Sequence, residues 1–415
     1  MAATPTAVDS PLPHTDPELA GLLAAEDRRQ AETLCLIASE NHSSLAVRAA
    51  CSSRLTDKYA EGYPGARYYG GCEVADQVEE LARKRALALF PGAEHANVQP
   101  HSGTTANMAV LVALAGPGGK IVGMALNAGG HLSHGHKVSH TGKVFEAHQY
   151  GVREDTGLID YDQVRDLVRE HRPGVLIAGG SSYPRAIDYA AMAEIAHEHG
   201  ALLLADIAHP AGLIAGKVLG SPLPHADVVT MTTHKTLRGP RGGMVLCKAE
   251  HQKAIDRGLF PGAQGGPLMQ QIAGKAVAFG EAGTEAFRTY QAAVVANAAR
   301  LAGALGERGL RIVTGGTDTH IVLVDLRGTD ATGADIEERG LAAGISLNKN
   351  MVPGDPQPPR TTSGIRLGTA AVTTRGMGVE EMDRIADAIS GLVRGEDPAK
   401  SRKIVADLCG AFPLP

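Results

Sequence analysis

The sequence predicts an α/β protein: a wound, mostly parallel sheet covered on both faces, followed by a smaller α+β domain. Three observations point there. Short apolar runs recur at HANVQP (95–100), IVGMAL (121–126), VLIAGG (175–180), ALLLAD (201–206), VVTMTT (228–233) and MVLCK (244–248). Helical patterns separate most of these runs, as crossover connections between parallel strands require. From about residue 281 the rhythm changes to helices around a few strands, as a second folding unit would show. Ligands of wound sheets bind outside the carboxyl ends of the strands, so strand-end residues are the first candidates for chemistry.

Taken in order, residues 1 to about 16 are rich in Pro and Thr and read as a loose arm. Asp16-Pro17-Glu18 supplies a cap and first turn for a helix to about Leu34, and a second helix follows from Leu45 to Leu55. Residues 59–71, YAEGYPGARYYGG, gather four of the chain's nine tyrosines in a Gly/Pro-rich segment. Such a segment is either an Ω-type loop packed on its own rings or a lid or interface loop serving a site. A charged amphipathic helix runs from about Glu73 to Phe90, and another opens at Ser102. Pro267–Leu305 reads as two helices, followed by a strand at His320–Leu326 and helices at Gly333–Ala343 and Val379–Arg394. The expected division is an N-terminal arm and helix over 1–48, a large domain over 49–280 and a small domain over 281–415.

Composition narrows the class. With 415 residues, 43% hydrophobic and 20% charged, the chain can bury two cores and is neither disordered nor fibrous. A net charge of −5 with scattered basic residues offers no field for nucleic acid or an anionic membrane. Cys35, Cys51, Cys72, Cys247 and Cys409 are odd in number and far apart, which signals neither a disulfide framework nor a cysteine zinc site. The first 27 residues hold no Lys or Arg and no apolar core of a signal peptide, and no run approaches a membrane span. A cytoplasmic location is the expectation.

The chemistry gathers around VVTMTTHKTLRGPRGG (228–243). A β-branched run ends at His234-Lys235, and Arg238 and Arg241 crowd the lysine from a tight turn. A lysine at a sheet mouth beside two other cations has cause to lose its proton and act as an amine nucleophile toward a carbonyl, pyridoxal phosphate being the obvious one. Taken alone, the stretch is equally a solvated basic turn. Asp206 ends the ALLLA strand 29 residues earlier, so the two residues can stand on neighbouring strand ends. A buried carboxylate there calls for a cation, and a protonated pyridine nitrogen is one. Ser102-Gly103-Thr104 opens a helix, either as a phosphate cradle or as a plain cap. His131, after Gly129-Gly130, could stack on a flat ring. A rival reading makes His131, His134, His136 and His140 a metal site, but the segment has no carboxylate or cysteine partner. Arg366, in an apolar segment, suits a substrate carboxylate or an inter-domain ion pair.

These stretches, with LIASEN, KYAEGYPGARYYGG, PHSG, GGHLSHG, SSYPR, FPGAQGGP, NKNMVP and TSGIRLGT, cover nearly the whole chain at the spacing of one family. The sequence resembles the serine hydroxymethyltransferases, pyridoxal phosphate enzymes of fold type I with a seven-stranded large-domain sheet. The resemblance implies that Lys235 carries the cofactor, Asp206 meets its ring nitrogen and His131 stacks on the ring. It implies Ser102, Gly103 and Thr104 at the phosphate, joined by Gly265 and Gly266 of a partner subunit. Ser181, His209 and His234 would line the ring, while Arg366 and Ser39 would hold the amino-acid carboxylate. Tyr59, Glu61 and Tyr69 would cross a dimer interface into the neighbouring site, with Glu61 handling the proton of the substrate hydroxyl. Leu126, Gly129, Gly130, Leu132, Lys349 and Asn350 match positions at or beside the family's tetrahydrofolate contacts. The implied assembly is a homodimer with shared sites or a tetramer of such dimers, and the implied reaction passes the one-carbon unit of serine to tetrahydrofolate.

The chain departs from the family pattern in several places. Ala128 stands where a histidine is usual, and Ser139-His140-Thr141-Gly142 replaces an N-F-S-G pattern. Thr105 replaces a glutamine, Gln270 a histidine, and Pro358-Pro359-Arg360 an S-P-F run. Several of these lie on the second-substrate side. That pattern admits a specialised, folate-independent aldolase, an L-threonine transaldolase or an α-methylserine hydroxymethyltransferase as the alternative activity. A non-catalytic or metal-dependent protein on the same fold is the reading of another class, and joint retention of Lys235, Asp206, His131 and Arg366 argues against it.

Overall fold

The computed structural model describes residues 11–415. Residues 1–10, most of the expected loose arm, lie outside the described residues, and Leu12–Thr15 forms a single helical turn. The next helix, Pro17–Glu32, starts where Pro17 was expected to start it, with Asp16 Oδ1 accepting the Leu19 N–H.

Seven strands build the large sheet: β1 (His95–Asn97), β2 (Lys120–Met124), β3 (Glu146–Tyr150), β4 (Val175–Gly179), β5 (Leu202–Asp206), β6 (Val228–Thr232) and β7 (Gly243–Cys247). Their order is β1-β7-β6-β5-β4-β2-β3. Only β7 runs against its neighbours, pairing antiparallel with both β1 and β6. This is the wound, mostly parallel seven-stranded sheet expected from the sequence. Alternation along the central strands explains why both faces are covered. In β4, Val175 and Ile177 enter one core and Leu176 and Ala178 the other; in β6, Val228 faces one core and Val229 and Met231 the opposite one. Helix Gly103–Leu114 covers the first face. Helices Glu73–Leu89, Tyr189–Glu198 and Met269–Ala282 cover the second.

The second sheet is antiparallel and consists of β8 (Arg311–Ile312), β9 (Ile321–Asp325), β10 (Asn348–Asn350) and β11 (Gly364–Gly368), ordered β8-β9-β11-β10. Helices Glu285–Glu307, Gly333–Ala343, Val379–Val393 and Pro398–Ala411 pack around it. Leu34 and Leu36 join this C-terminal core, and Leu34–Cys35 pairs parallel with Ile345–Ser346. The chain next runs across the end of β11. The Gly368 N–H donates to the Leu36 carbonyl at 2.8 Å, and a Cβ on Gly368 would collide with Ala38. That close approach, which only glycine permits, delivers Ser39 to the cavity described below.

The tyrosine-rich segment is a small hairpin, Gly62–Tyr63 against Ala66–Arg67. Its anchor is Arg67, which donates to Asp76 at 2.8 Å and Glu79 at 2.6 Å and to the carbonyls of Ala60 and Gly62. Of the four tyrosines, Tyr63 packs inward and donates to the Asp256 carbonyl. Tyr59 and Tyr69 meet edge to face with centroids 5.5 Å apart, but both, like Tyr68, remain exposed, so the rings do not close a core of the segment's own.

Candidate active site

A cavity of about 540 Å³ lies outside the carboxyl ends of β2, β4, β5 and β6, the place a wound sheet offers a ligand. Each strand delivers one part of it. β5 ends at Asp206, the turn after β6 carries His234 and Lys235, the turn after β4 carries Ser181, and Leu126, Gly130, His131 and Leu132 follow β2. Ser39, Ser102, Gly103, Thr104, His209, Lys349, Asn350 and Arg366 complete the expected lining.

Lys235 is 8% exposed, and its Nζ has no hydrogen bond or ion pair among the described residues. Burial pushes its pKa down to about 8, with Arg366 and Arg241 adding to the shift and Asp206 opposing it. The basic turn is thus a delivered amine and not a solvated face. Asp206 is also buried. Burial works to raise its pKa, but hydrogen bonds from His134 and Asn107 outweigh that and hold the carboxyl well below the usual carboxylate range. His134 Nε2 and Asn107 Nδ2 lie 2.9 and 2.8 Å from Asp206 Oδ2, and the Ala208 N–H donates to Oδ1 at 3.0 Å.

The tautomers follow from the backbone. The His131 N–H reaches His134 Nδ1 at 3.3 Å, so His134 carries its proton on Nε2, toward Asp206. The Ser133 N–H and hydroxyl both reach His131 Nδ1, at 3.1 and 2.7 Å, while the Ser133 hydroxyl accepts from Asn107. Nδ1 is thereby kept as an acceptor. Burial, reinforced by His134, pushes the His131 pKa down to about 4, and the ring is neutral and flat beside the cavity. Of the four histidines in the rival metal reading, these two are spent on Asp206 and Ser133. The described residues that could converge on an ion are Glu146, His148 and His171, at the sheet edge. The two imidazoles there lie face to face, 3.5 Å apart and 8° from parallel, so their ring-plane lone pairs run side by side and do not meet.

Arg366 lies on β11 in the cavity wall. Its Nε donates to Asn348 Oδ1 at 3.0 Å and Nη1 to the Ser181 carbonyl at 2.6 Å, both neutral acceptors. No carboxylate among the described residues pairs with it, which removes the inter-domain ion-pair reading. Burial alone lowers its pKa, to about 10, a guanidinium cation at any ordinary pH. A desolvated cation in a cavity wall, its Nη2 without a hydrogen bond among the described residues, is a receptor for an anion. His209 Nδ1 and His320 Nε2 are 3.3 Å apart in a stacked pair, with burial holding His209 well below the ordinary histidine value. His234 is pushed down to about 3 by burial and by Arg241.

Six expected residues do not line this cavity. Gly129 supports its wall, its carbonyl accepting from the Ser181 and Ser182 N–H groups. Tyr59, Glu61, Tyr69, Gly265 and Gly266 form a separate cluster. The Tyr59 and Tyr69 hydroxyls donate to Glu61 Oε1 and Oε2 at 3.3 and 3.2 Å, and Gly265 and Gly266 sit against Glu61 and Tyr59. Reading the sequence missed Asn107 and the role of His134. A polar residue inside the apolar helix 103–114, and a second histidine three residues after His131, were the available signals.

The donor set fits pyridoxal phosphate. A partly neutral amine, a buried carboxylate held ionised, a neutral ring and an unpaired guanidinium face one space, and a helix N-terminus with small hydroxyl residues opens onto it. Among the departures from the family pattern, Pro359 lines the cavity, Ser139 caps the helix His140–Val144, and Thr105 closes the cap at Ser102. A family model described as serine hydroxymethyltransferase matches residues 12–389 of the chain.

Proposed function

The chain belongs to the serine hydroxymethyltransferase family, pyridoxal phosphate enzymes of the transferase kind, and from that premise we propose that it is a hydroxymethyltransferase interconverting serine and glycine with tetrahydrofolate as one-carbon carrier. The observation that carries the amino-acid half is Arg366, a cavity cation without a protein anion, placed with Lys235 and Asp206 around one space. Support for the carrier half is the outer wall, where Leu126, Gly130, Leu132, Lys349 and Asn350 all line the same cavity.

Bound pyridoxal phosphate supplies an aldehyde that captures an amine and a protonated pyridine ring that takes up the electron pair left at Cα. The residues of the chain do the rest. With its pKa near 8, Lys235 Nζ is neutral in about a tenth of molecules at pH 7, enough to attack a carbonyl and later to take a proton. Asp206, kept ionised by His134 and Asn107, holds the proton on the ring nitrogen. Neutral His131 offers its face for stacking without adding charge. Ser102, Gly103 and Thr104 present N–H and hydroxyl groups to the phosphate. Arg366 grips the carboxylate of the amino acid and so fixes which bond at Cα stands across the ring. Breaking the Cα–Cβ bond of serine requires a base for the β-hydroxyl proton. We assign this to Glu61 of a second copy, since Glu61 stands poised between Tyr59 and Tyr69 on an exposed patch away from the chain's own cavity. The assembly is then a dimer, or a tetramer of dimers, with shared sites.

The test is glycine formation from L-serine and from L-threonine by the cofactor-loaded protein, with and without tetrahydrofolate. We expect glycine from serine to depend strictly on tetrahydrofolate. Folate-independent turnover of serine with release of free formaldehyde would overturn the carrier and place the enzyme among specialised aldolases.

A further inference from the structure

Lys275 stands outside the cavity, on helix Met269–Ala282, and is 1% exposed. Its Nζ donates to the carbonyls of Val98, Pro100 and Gly243, at 2.6, 3.1 and 2.8 Å. Three N–H groups meet three acceptors, which is the full donor complement of an ammonium. A neutral amine would leave one carbonyl without a donor and turn its lone pair toward an oxygen. Burial drags the pKa down to about 7, while the Glu79 carboxylate and the three carbonyl acceptors favour the ammonium form.

No carboxylate among the described residues pairs with this charge. Glu79, the acid that attracts it, is committed to Arg67 at 2.6 Å and to Gln99 at 2.9 Å. A buried cation answered only by neutral carbonyls is costly, so its position is informative. Val98 and Pro100 follow β1 and lead directly into His101-Ser102-Gly103, and Gly243 opens β7 alongside. The Gly243 N–H also donates to the Pro100 carbonyl at 2.9 Å, and the Ser102 carbonyl lies where a Cβ on Gly243 would be. Lys275 therefore clips two strand ends together immediately behind the turn that opens helix Gly103–Leu114. Burial is the main cause of the low pKa of His101 and of His234, and Lys275 adds a smaller lowering to each.

We propose that Lys275 is a positioning residue for the phosphate end of the site: it fixes the Pro100–Gly103 turn and supplies, from behind, the positive charge that a bound phosphoester dianion answers. This rests on the pyridoxal phosphate reading above and adds to it a residue that never touches the ligand. The dianion and the ammonium stabilise each other across the turn, whereas the same cofactor without its phosphate gains nothing from Lys275.

The experiment compares the affinities of the apoprotein for pyridoxal 5′-phosphate and for unphosphorylated pyridoxal, in the unaltered protein and in Lys275→Met, Lys275→Gln and Lys275→Arg. The expected result is that the preference for the phosphorylated form falls at least about tenfold in the Met and Gln variants, while pyridoxal affinity changes less than about threefold. Lys275→Arg should recover most of the preference, because it keeps the charge. Gln keeps an amide donor for the carbonyls, so it carries the comparison should the Met variant not fold. Equal loss of both affinities would reduce Lys275 to a structural clip, and an unchanged preference would remove it from the site; either outcome overturns the proposal. An unaltered protein with no preference for the phosphorylated form overturns the cofactor reading and this proposal with it, which separates the two failures.

Discussion

Lys235→Ala is expected to lower turnover of serine by roughly a thousandfold or more while leaving the protein folded. The residue sits in the turn after β6 with its Nζ unengaged, so no hydrogen bond of the fold is lost with the side chain. What is lost is the amine that attaches the cofactor and later accepts a proton. The backbone contacts that hold the turn remain, including the Lys235 carbonyl, which accepts from Asn41 Nδ2 at 2.9 Å. The check is twofold: steady-state turnover, and the visible absorption of covalently attached cofactor. Persistence of that absorption in the variant would refute the assignment of this lysine.

Arg366→Leu should act on a different quantity. A guanidinium that meets a carboxylate in a partly desolvated wall contributes about 3–4 kcal/mol, so KM for L-serine should rise by roughly two to three orders of magnitude. Cofactor attachment should stay intact, because Lys235 and Asp206 are untouched, although leucine also gives up the hydrogen bonds from Nε to Asn348 and from Nη1 to the Ser181 carbonyl. Arg366→Lys should recover little of the loss, since an ammonium cannot present two parallel donors. Steady-state kinetics with L-serine decide it; a KM within threefold of the unaltered value would place the carboxylate elsewhere.

Much of this was legible in the sequence because the strand ends carry the chemistry. Asp206 and Lys235 close apolar runs whose strand character is unmistakable, and a wound sheet brings such ends to one side. The edge strand β3, Glu146–Tyr150, was not legible. Its sequence EAHQY is polar and half-exposed, as an edge of the sheet allows, and it lacks the apolar signature of the buried strands. The final helix, Pro398–Ala411, also went unread, because its polar PAKSRK start hides the few core contacts made by Val405 and Leu408. At the site, what periodicity could not reveal was the network behind the cofactor-facing groups. Asn107 and His134 touch Asp206 only because a helix and a tight turn converge from residues 99 and 72 positions away in the chain. Spacing along a sequence reports which element carries a residue, but not which remote donor completes its hydrogen bonds. The tyrosine hairpin marks the opposite limit. In the proposed dimer its exposed rings and the Glu61 cluster serve a neighbouring subunit's site, an expectation that comes from family resemblance and not from composition or periodicity.

In the proposed enzyme Lys235 carries pyridoxal phosphate in the cavity shared with Asp206 and Arg366. Loading the protein with the cofactor, reducing with borohydride and mapping the modified peptide by mass spectrometry tests it without any variant. One reduced cofactor per chain is expected, on the peptide containing Lys235. Modification on Lys349 or Lys275 instead, or no stable modification at all, would contradict it.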